Sequence, residues 1–317
     1  MNFIINLLLS RRIAMSRIIK ALTNLDLVIT HICRHWPFYL VSDEFYLKHF
    51  FKAHQGYDLD LQNPVSYNEK IQWLKLYDRK EIYTTLSDKY QVRQYVEEKI
   101  GAQYLIPLLG VWDSAEDVKI EELPDRFVLK CNHDSGSVAI CKDKNTFCAK
   151  KQLKKLSKAL KRNYYWKSRE YNYYHIIRKI IAEEYIADTG TDELTDYKLF
   201  CFDGKVYFTQ IDTGRFTNHI RNFYDKDWNF IDVSYGCKND PHNIMPVPEF
   251  YGEMKRLAEI LSEGMPHVRV DFYYSNGHIY FGELTFHHGG GVMKIDPKEY
   301  DYKWGKLINI EQIKKEK

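Results

Sequence analysis

The 317-residue sequence has no CxxC cysteine pair, no long hydrophobic run and little excess charge of either sign. Its six cysteines lie mostly inside apolar stretches, where a free cysteine acts as a small hydrophobic residue. This usage favours a reducing compartment, so the cytoplasm is the expected location. The formal net charge of +3 is too small to indicate a nucleic-acid partner.

The apolar run at residues 3–9 is far shorter than the ~20 residues that cross a bilayer, and arginines follow it rather than precede it. Apolar residues then recur every three or four positions over residues 15–32, which predicts an amphipathic helix within an N-terminal extension of residues 1–42. Packing on the main body is the ordinary role of such a stripe. Peripheral contact with the inner face of the cytoplasmic membrane is the alternative. Met15 is a second candidate start, beside Met1.

The sequence also lacks the phosphate-binding patterns GxGxxG and GxxxxGK followed by Ser or Thr. Instead, residues 127–137 read FVLKCNHDSGS, an apolar strand that ends at Lys130 and continues into a loop of small polar residues. Small residues let backbone N–H groups approach a phosphate, and a lysine adds positive charge. The segment is therefore a candidate phosphate-binding loop, with an ordinary surface hairpin as the alternative.

Two strands near the C-terminus bring alternating charges together. Arg269 and Asp271 are two residues apart and therefore share one face of their strand. Asn276-Gly277 predicts a tight hairpin turn, which places Glu283 and Thr285 on the neighbouring antiparallel strand. Asp271 and Glu283 are predicted to hold Mg²⁺, with Thr285 adding an oxygen ligand. A solvent-facing hairpin surface is the alternative.

The remaining pattern predicts mixed helix and sheet. Lys89 and Arg93 would lie one helical turn apart and face one anion. Ser66 and Glu69 match a capping box at the start of a helix. Helices are expected over residues 43–55, 66–77, 86–100, 113–118 and 150–162, strands over 104–112 and 176–186, and a hairpin over 196–208.

Two further segments carry open alternatives. Residues 164–174 contain six aromatic side chains interleaved with Lys167 and Arg169, which would either stack on sugars or bases or pack under the sheet. His287 and His288 precede three glycines and are expected to form a mobile edge suited to closing over a substrate. The favoured interpretation gives the two histidines themselves no chemical role.

Taken together, the Lys130 loop, the Glu-Glu-Tyr-Ile segment at 183–186 and the Arg-x-Asp and Glu-x-Thr hairpin resemble an ATP-grasp site. The match is closest to the TupA-like branch, which is associated with bacterial surface-polysaccharide biosynthesis, and the resembling segments span residues 60–290. The resemblance implies an α+β fold in which two α+β subdomains clasp the nucleotide. It further implies a helical subdomain at 43–112, a lid subdomain at 113–186 and a C-terminal subdomain at 187–317.

The resemblance also assigns site residues by position. Arg269 and Lys130 would be catalytic, with Arg269 stabilising an acyl-phosphate. Mg²⁺ would be held by Asp271, Glu283 and Thr285, although many ATP-grasp enzymes carry Asn at the position of Thr285. The phosphates of ATP would contact Lys89, Lys130 and a lid formed by Ser135, Gly136 and Ser137. The adenine would be lined by a hinge formed by Glu183, Glu184, Tyr185 and Ile186. Asp196 would contact the ribose, and Lys198 a phosphate.

The activity implied is an ATP- and Mg²⁺-dependent carboxylate–amine ligase of surface-polysaccharide biosynthesis, acting through an acyl-phosphate. Its other substrates would be a saccharide or uronic-acid acceptor and an amino acid. A glycosyltransferase that uses a sugar nucleotide is the alternative, for which Asp58-Leu-Asp60 and Asp225-Lys-Asp227 have suitable spacing for a metal. A third interpretation is a non-catalytic membrane-surface partner that uses the N-terminal helix.

Overall fold

The computed structural model describes residues 24–35, 37–187, 194–214 and 219–315. The described helices are α1 (Leu25–Ile32), α2 (Asp43–Gln55), α3 (Tyr67–Tyr77), α4 (Ile82–Ser87), α5 (Val92–Ile100), α6 (Ala149–Leu160), α7 (Tyr165–Ser168), α8 (Tyr251–Leu261), α9 (Glu299–Gly305) and α10 (Ile310–Lys315). The described strands are β1 (Leu108–Trp112), β2 (Phe127–Cys131), β3 (Val138–Cys141), β4 (Ile180–Glu184), β5 (Asp196–Phe202), β6 (Lys205–Thr213), β7 (Ile220–Asp225), β8 (Phe230–Ile231), β9 (Ser234–Tyr235), β10 (His267–Ser275), β11 (His278–Thr285) and β12 (Ile295–Asp296). This mixture confirms the predicted α+β class.

The first sheet is antiparallel and has the strand order β1-β4-β2-β3. One of its faces is covered by α6, whose Leu156 and Ala159 pack with Phe127 and Leu129 in one buried apolar cluster. The predicted boundary at residue 112 assigns β1 to the helical subdomain, whereas β1 is an edge strand of this sheet. The subdomain boundaries otherwise stay predictions.

The second sheet is also antiparallel, with the order β11-β10-β5-β6-β7-β8. Apolar residues of α5 and α8 fill one side of it, and α3 and α9 pack against a group of phenylalanines on the other. Positive φ angles at Asp203, Gly204, Asn276 and Gly277 confirm the two predicted tight hairpin turns. The hairpins fix the register that aligns the charged residues described below.

The helices that precede the sheets follow their local capping signals. Ser66 accepts a hydrogen bond from the Glu69 backbone nitrogen at 3.2 Å, and Glu69 Oε2 accepts the Ser66 backbone N–H at 2.8 Å, so the predicted capping box is confirmed. The helix expected over 86–100 is instead divided into α4 and α5. Asp88 interrupts it because its carboxylate caps the Tyr90 backbone nitrogen at 2.8 Å.

Three other expectations need correction. Lys89 lies in the break between α4 and α5, so it and Arg93 do not share a helical face. No α-helix forms at 113–118, where the chain makes bends and a turn, and a 3₁₀ turn follows at Ile120–Glu122. The 287–291 segment is not an exposed edge, because His287, His288 and Gly291 are buried.

Part of the predicted N-terminal helix is present as α1. The rest of that prediction, including residues 1–23, lies outside the described residues. None of the described helices combines the length and apolar character that a bilayer crossing requires.

Two helical glycines give a matched test of the packing between the N-terminal helices and α9. A Cβ at Gly305 would stand 2.8 Å from the Tyr67 backbone nitrogen at the start of α3, whereas one at Gly252 in α8 would meet nothing within 4 Å. We expect Gly305→Ala to lower the free energy of unfolding by about 3 kcal/mol, because backbone atoms cannot give way. Gly252→Ala should raise it by about 0.5–1 kcal/mol through helix propensity. Urea unfolding curves that shift equally for both variants would contradict this packing.

Candidate active site

One face of the second sheet carries a row of alternating charges. Strand register places Asp271 opposite Lys198 on β5 and opposite Glu283 on β11. The row, here called the charged column, runs Asp196, Lys198, Asp271, Arg269, Glu283 and Lys89. The successive nitrogen–oxygen distances along it are 3.4, 2.8, 2.6, 3.0 and 3.8 Å. The convergence of polar faces predicted from the hairpin is therefore confirmed.

Arg269 is the centre of the charged column. Its Nε and Nη2 donate to the two oxygens of Asp271, each at 2.6 Å, and Nη2 also donates to Glu283 at 3.0 Å and to Thr285 at 3.1 Å. Nη1 contacts Nδ1 of His288. Burial lowers the pKa of Arg269, but Asp271 and Glu283 outweigh burial and raise the pKa above its usual range. The guanidinium is thus held rigid and charged.

Glu283 is a carboxylate of the column that lines a cavity on the side of Arg269 and Thr285. Burial raises its pKa, but the charges of Lys89, Arg269 and Lys198 outweigh this effect and lower the pKa to about 2. Its Oε1 accepts hydrogen bonds from Arg269 and, at 3.2 Å, from the Thr285 hydroxyl, whereas Oε2 lies 3.8 Å from Lys89. Glu283 is therefore ionised and has one oxygen that is less tightly engaged.

These residues suit Mg²⁺ in part. No group of three or more His, Cys, Asp or Glu side chains in the described ranges is arranged to hold a metal ion. Both oxygens of Asp271 are engaged by Arg269, and Lys198 donates to one of them as well. Glu283 and the Thr285 hydroxyl both line a cavity. One or two carboxylates, completed by phosphate oxygens and water, are the usual environment of Mg²⁺.

Lys89 connects the charged column to the loop of the first sheet. Its backbone nitrogen donates to the Asn132 carbonyl at 3.1 Å, and its Nζ donates to the Asp134 carbonyl at 2.6 Å. The Ser137 hydroxyl bonds Asp134 across the same loop, and Gly136 has a φ of +99°, which favours glycine. The loop after Lys130 is thus held beside Glu283 by one lysine.

Lys130 itself points at Glu183. Its Nζ lies 2.5 Å from Glu183 Oε2, and Arg93 lies 3.5 Å from Glu183 Oε1. Glu183 is 5% exposed, so its carboxylate is largely shielded from water. Lys89 and Arg93 therefore approach two different carboxylates rather than one anion.

A first cavity of about 690 Å³ lies between the two sheets. Tyr185, Ile186 and Asp196 line it together with apolar side chains such as Ile140 and Tyr273. Glu183 and Glu184 are not in its lining, since Glu183 pairs with Lys130 and the Glu184 side chain is exposed. A cavity with apolar walls and a few polar groups is the common form of a small-molecule site.

A second cavity, of about 480 Å³, lies at the other end of the charged column. Predicted residues Ser135, Arg269, Glu283 and Thr285 all line it. Among its other lining residues, the sequence analysis considered Lys167 for stacking and His287 for a mobile edge, and it gave no role to Arg34, His54, Ser168 and Glu170. Local patterns carry little signal for this set, because it is assembled from segments that are distant in the chain.

The aromatic segment at 164–174 mainly packs. The Arg169 guanidinium is buried and lies 4.7, 5.4 and 4.5 Å from the ring centroids of Tyr46, Tyr165 and Trp166. It fastens α2 to α7 through these cation–π contacts. Tyr164 and Tyr173 differ from the rest, because they line the second cavity.

Lys75 stabilises the wall of the second cavity from behind. It is fully buried in α3, and its Nζ donates to the Gly290 carbonyl at 2.6 Å and to Gln72 at 3.1 Å. Burial lowers the pKa of Lys75 to about 8, against an opposing contribution from the carboxylate of Glu170. The lysine is therefore protonated at neutral pH at some cost in stability.

The two Asp-x-Asp pairs form hydrogen bonds and ion pairs with residues close to them in the sequence. Asp60 accepts the backbone N–H groups of Gln62 and Asn63, both at 2.9 Å, and Asp58 pairs with Lys52 at 2.8 Å. Asp225 accepts the Asn229 backbone N–H at 2.8 Å and Asp227 pairs with Lys226 at 2.7 Å. These contacts give the pairs a structural role in turns.

A comparison with protein families matches residues 69–309, about three quarters of the chain, to the family described as TupA-like ATPgrasp. With two antiparallel sheets on either side of a charged cleft, the chain is an ATP-grasp protein. It belongs to the TupA-like ATP-grasp family, as its motifs predicted. ATP and Mg²⁺ as cofactors are confirmed at the level of that family. A comparison with curated proteins returned no match.

Solved structures with a similar fold include D-alanine–D-alanine ligases. The Bacillus anthracis enzyme complexed with ATP has a TM-score of 0.38 and 16% identity, over 64% of this chain and 54% of that chain. The Helicobacter pylori enzyme has a TM-score of 0.42 and 13% identity, over 78% and 70%. A RimK domain ATP-grasp protein from Sphaerobacter thermophilus has a TM-score of 0.38 and 12% identity, over 78% and 72%. This chain therefore spans about half the length of the first of these proteins.

The pKa of Lys75 generates a pH prediction. Its folded value of about 8 lies below the ordinary value of 10.5, so the unfolded chain binds more protons between these pH values. The free energy of unfolding should therefore rise with pH from 8 to 10.5, by roughly 3 kcal/mol from this group. We expect Lys75→Met to lose that rise relative to the wild type, in urea unfolding at stepped pH. Lys48→Met, at an exposed lysine of α2, is the control, and parallel curves for Lys75→Met and the wild type would refute the assignment.

Proposed function

We propose that this protein is an ATP- and Mg²⁺-dependent ligase that joins a carboxylate to an amine through an acyl-phosphate. The observation that carries the proposal is the charged column. It begins at Asp196 in the lining of the first cavity and reaches Arg269 and Glu283 in the lining of the second. A nucleotide whose base occupies the first cavity would extend its phosphates along this row toward the second.

Each predicted nucleotide contact has a place in this arrangement. Tyr185 and Ile186 would face adenine and Asp196 the ribose, since all three line the first cavity. Lys198, Lys89 and Lys130 would neutralise phosphate oxygens by exchanging a carboxylate partner for a phosphate. Ser135, Gly136 and Ser137 would cover the phosphates with backbone N–H groups, as small residues in such a loop permit.

Glu283 would be the main protein ligand of Mg²⁺, with Thr285 beside it. Asp271 would join only where Arg269 releases one of its oxygens. When bound, the ion supplies positive charge that offsets the developing charge on the phosphates. Arg269 stays fixed beside it and faces the second cavity, where it would stabilise the oxygens of the transferred phosphoryl group.

The reaction would then proceed in two steps. A substrate carboxylate oxygen attacks the γ-phosphorus, the bond to the β-phosphate oxygen breaks, and ADP leaves with that electron pair. An uncharged amine then attacks the acyl carbon, the carbon–oxygen bond to phosphate breaks, and inorganic phosphate leaves with that electron pair and takes one proton from the nitrogen. The loop of Ser135, Gly136 and Ser137, closed over the site, would protect the acyl-phosphate from water, which would otherwise hydrolyse it.

The carboxylate and amine substrates are proposed from the pathway with which the family is associated. A uronic acid or other saccharide carboxylate would be the acceptor and an amino acid the amine, in the biosynthesis of a bacterial surface polysaccharide. The polar lining of the second cavity, which includes Arg34, Lys167 and Glu170, supports small charged substrates. A peripheral membrane contact through the predicted N-terminal helix is part of the same proposal, and residues 15–23 of that prediction lie outside the described residues.

Ligand-dependent stability separates the ligase from a glycosyltransferase. A ligand that binds the folded state alone raises the melting temperature, by an amount that grows with the logarithm of the ligand concentration divided by its Kd. We expect Mg-ATP to raise Tm, and Mg-UDP-glucuronate at the same concentration to leave it unchanged. The reverse pattern, measured by scanning fluorimetry, would support transfer from a sugar nucleotide instead.

Catalysis is tested by ADP release from Mg-ATP in mixtures of uronic acids and amino acids. We expect Lys130→Ala and Glu283→Gln to slow release by roughly 10²–10³-fold, because each removes charge that acts on the transferred phosphoryl group. Glu249→Gln, at an exposed residue, is the matched control. The proposal fails where the wild type releases no ADP with any mixture.

A further inference from the structure

Glu170 is a buried carboxylate that the proposed phosphoryl chemistry does not use. It is 6% exposed and lines the second cavity. Its Oε1 accepts the Ser168 hydroxyl at 2.5 Å, and it forms no ion pair with a lysine or arginine in the described part of the chain. Burying a carboxylate without a cation is costly, so a site of this kind suits a positively charged ligand.

His287 supplies a second unsatisfied atom at the same place. The side chain is 5% exposed, and its Nδ1 has no hydrogen-bond partner among the residues that the structure describes. Nδ1 lies 3.9 Å from Glu170 Oε2, which is too long for a direct hydrogen bond. A histidine ring nitrogen accepts a hydrogen bond when the ring proton is on the other nitrogen, so Nδ1 is available as an acceptor.

A gap of 3.9 Å between two acceptors fits one nitrogen donor. A nitrogen about 2.9 Å from both atoms would subtend an angle of about 85°, which two N–H bonds of an ammonium group reach through slightly bent hydrogen bonds. A metal ion is a poorer fit, because a single carboxylate and a single imidazole leave most of its coordination sites empty. The pair is thus arranged for an amine in its protonated form.

Other charges around the cavity narrow the class of amine. Arg269 is balanced by Asp271 and Glu283, and burial lowers the pKa of His54, which is therefore neutral. Lys75 lies behind the wall and weakens the field of Glu170. Two lining cations, Arg34 and Lys167, would oppose a simple amine, but they would pair with a carboxylate on the same molecule.

We propose that the second cavity binds the amine substrate as an amino acid, with its ammonium group between Glu170 and His287 and its carboxylate toward Arg34 and Lys167. This inference rests on the proposed function, because the bound ammonium group becomes the uncharged amine that attacks the acyl-phosphate once it has passed one proton to the Glu170 carboxylate. Glu170 is the positioning residue for that group. It lies in the same cavity as Arg269 and Glu283, so the amine is held on the side where the acyl carbon would be exposed.

Binding to the wild-type chain is the first test. Saturation-transfer NMR with each of the twenty common amino acids, in the presence of Mg-ADP, should show binding of at least one. Its N-acetyl derivative, which has no ammonium group, should show none. Equal signals from the two forms, or no signal from any amino acid, would overturn the ammonium site.

Glu170→Gln is the second test, because it keeps the size and the acceptor for Ser168 but removes the charge. We expect the KM for the amino acid to rise at least about tenfold, as for the loss of a charged hydrogen bond. Hydroxylamine, which is mostly uncharged at neutral pH, should still trap the acyl-phosphate at the wild-type rate. Its nitrogen attacks the acyl carbon, phosphate leaves with the electron pair, and a proton goes to solvent.

The controls separate this inference from the proposed function. Absence of hydroxamate with every uronic acid in the wild type refutes the ligase, while the NMR test still decides the ammonium site. His287→Asn should keep more amino-acid affinity than His287→Phe, because the amide oxygen can accept a hydrogen bond. Glu249→Gln should match the wild type in both assays. An unchanged KM in Glu170→Gln, or an equal loss of hydroxamate and amide formation, would show that Glu170 has only a structural role.

Discussion

The bidentate contact between Arg269 and Asp271 is the constraint on which the rest of the cleft depends. A guanidinium that is 7% exposed would be strongly destabilising alone, and its two 2.6 Å hydrogen bonds to Asp271 offset that penalty. Asp271 is held in turn by Lys198, so β5, β10 and β11 are joined by charge as well as by backbone pairing. The same contact orients Nη2 toward Glu283 and Thr285 as well, and leaves Nη1 facing His288. Such a buried network fixes the positions of its side chains more than it adds to the free energy of unfolding.

The two sheets meet through fewer contacts than each makes internally. Lys89 hydrogen-bonds the loop after β2 and approaches Glu283 on β11, so one side chain reaches both walls of the cleft. Its position depends on Asp88, whose carboxylate ends the preceding helix and accepts a hydrogen bond from Asn132 in the same loop at 2.9 Å. The break between α4 and α5 therefore determines the direction of the Lys89 side chain, which would point elsewhere if the helix were continuous.

The sequence predicted those parts of the site that rest on short-range geometry. Alternation along one strand and an Asn-Gly turn were enough to bring Arg269, Asp271 and Glu283 together. The break at Asp88 also had a local signal, since aspartate favours caps over helix interiors, but helical periodicity concealed it. Glu170 and His287 are 117 positions apart, and Lys75 meets Gly290 across 215 positions. No local period relates such residues, so their burial in one cavity wall became apparent only from the folded chain.

Charge balance explains how this cleft would distinguish a nucleotide from other anions. The charged column holds three acids and three bases, so it contributes no net positive charge. A polyanion would be attracted mainly by the cluster of Lys130, Arg93 and Glu183, which has one cation in excess. Each phosphate that binds would therefore replace a carboxylate as the ion-pair partner of a lysine. Only a ligand with several phosphates in line would make this replacement more than once. Glu183 keeps Arg93 when Lys130 leaves, so the first exchange strands no buried charge. An isolated sulfate or carboxylate would break a pair and gain a single contact, which makes an alternating neutral row more selective than a positive patch of equal size.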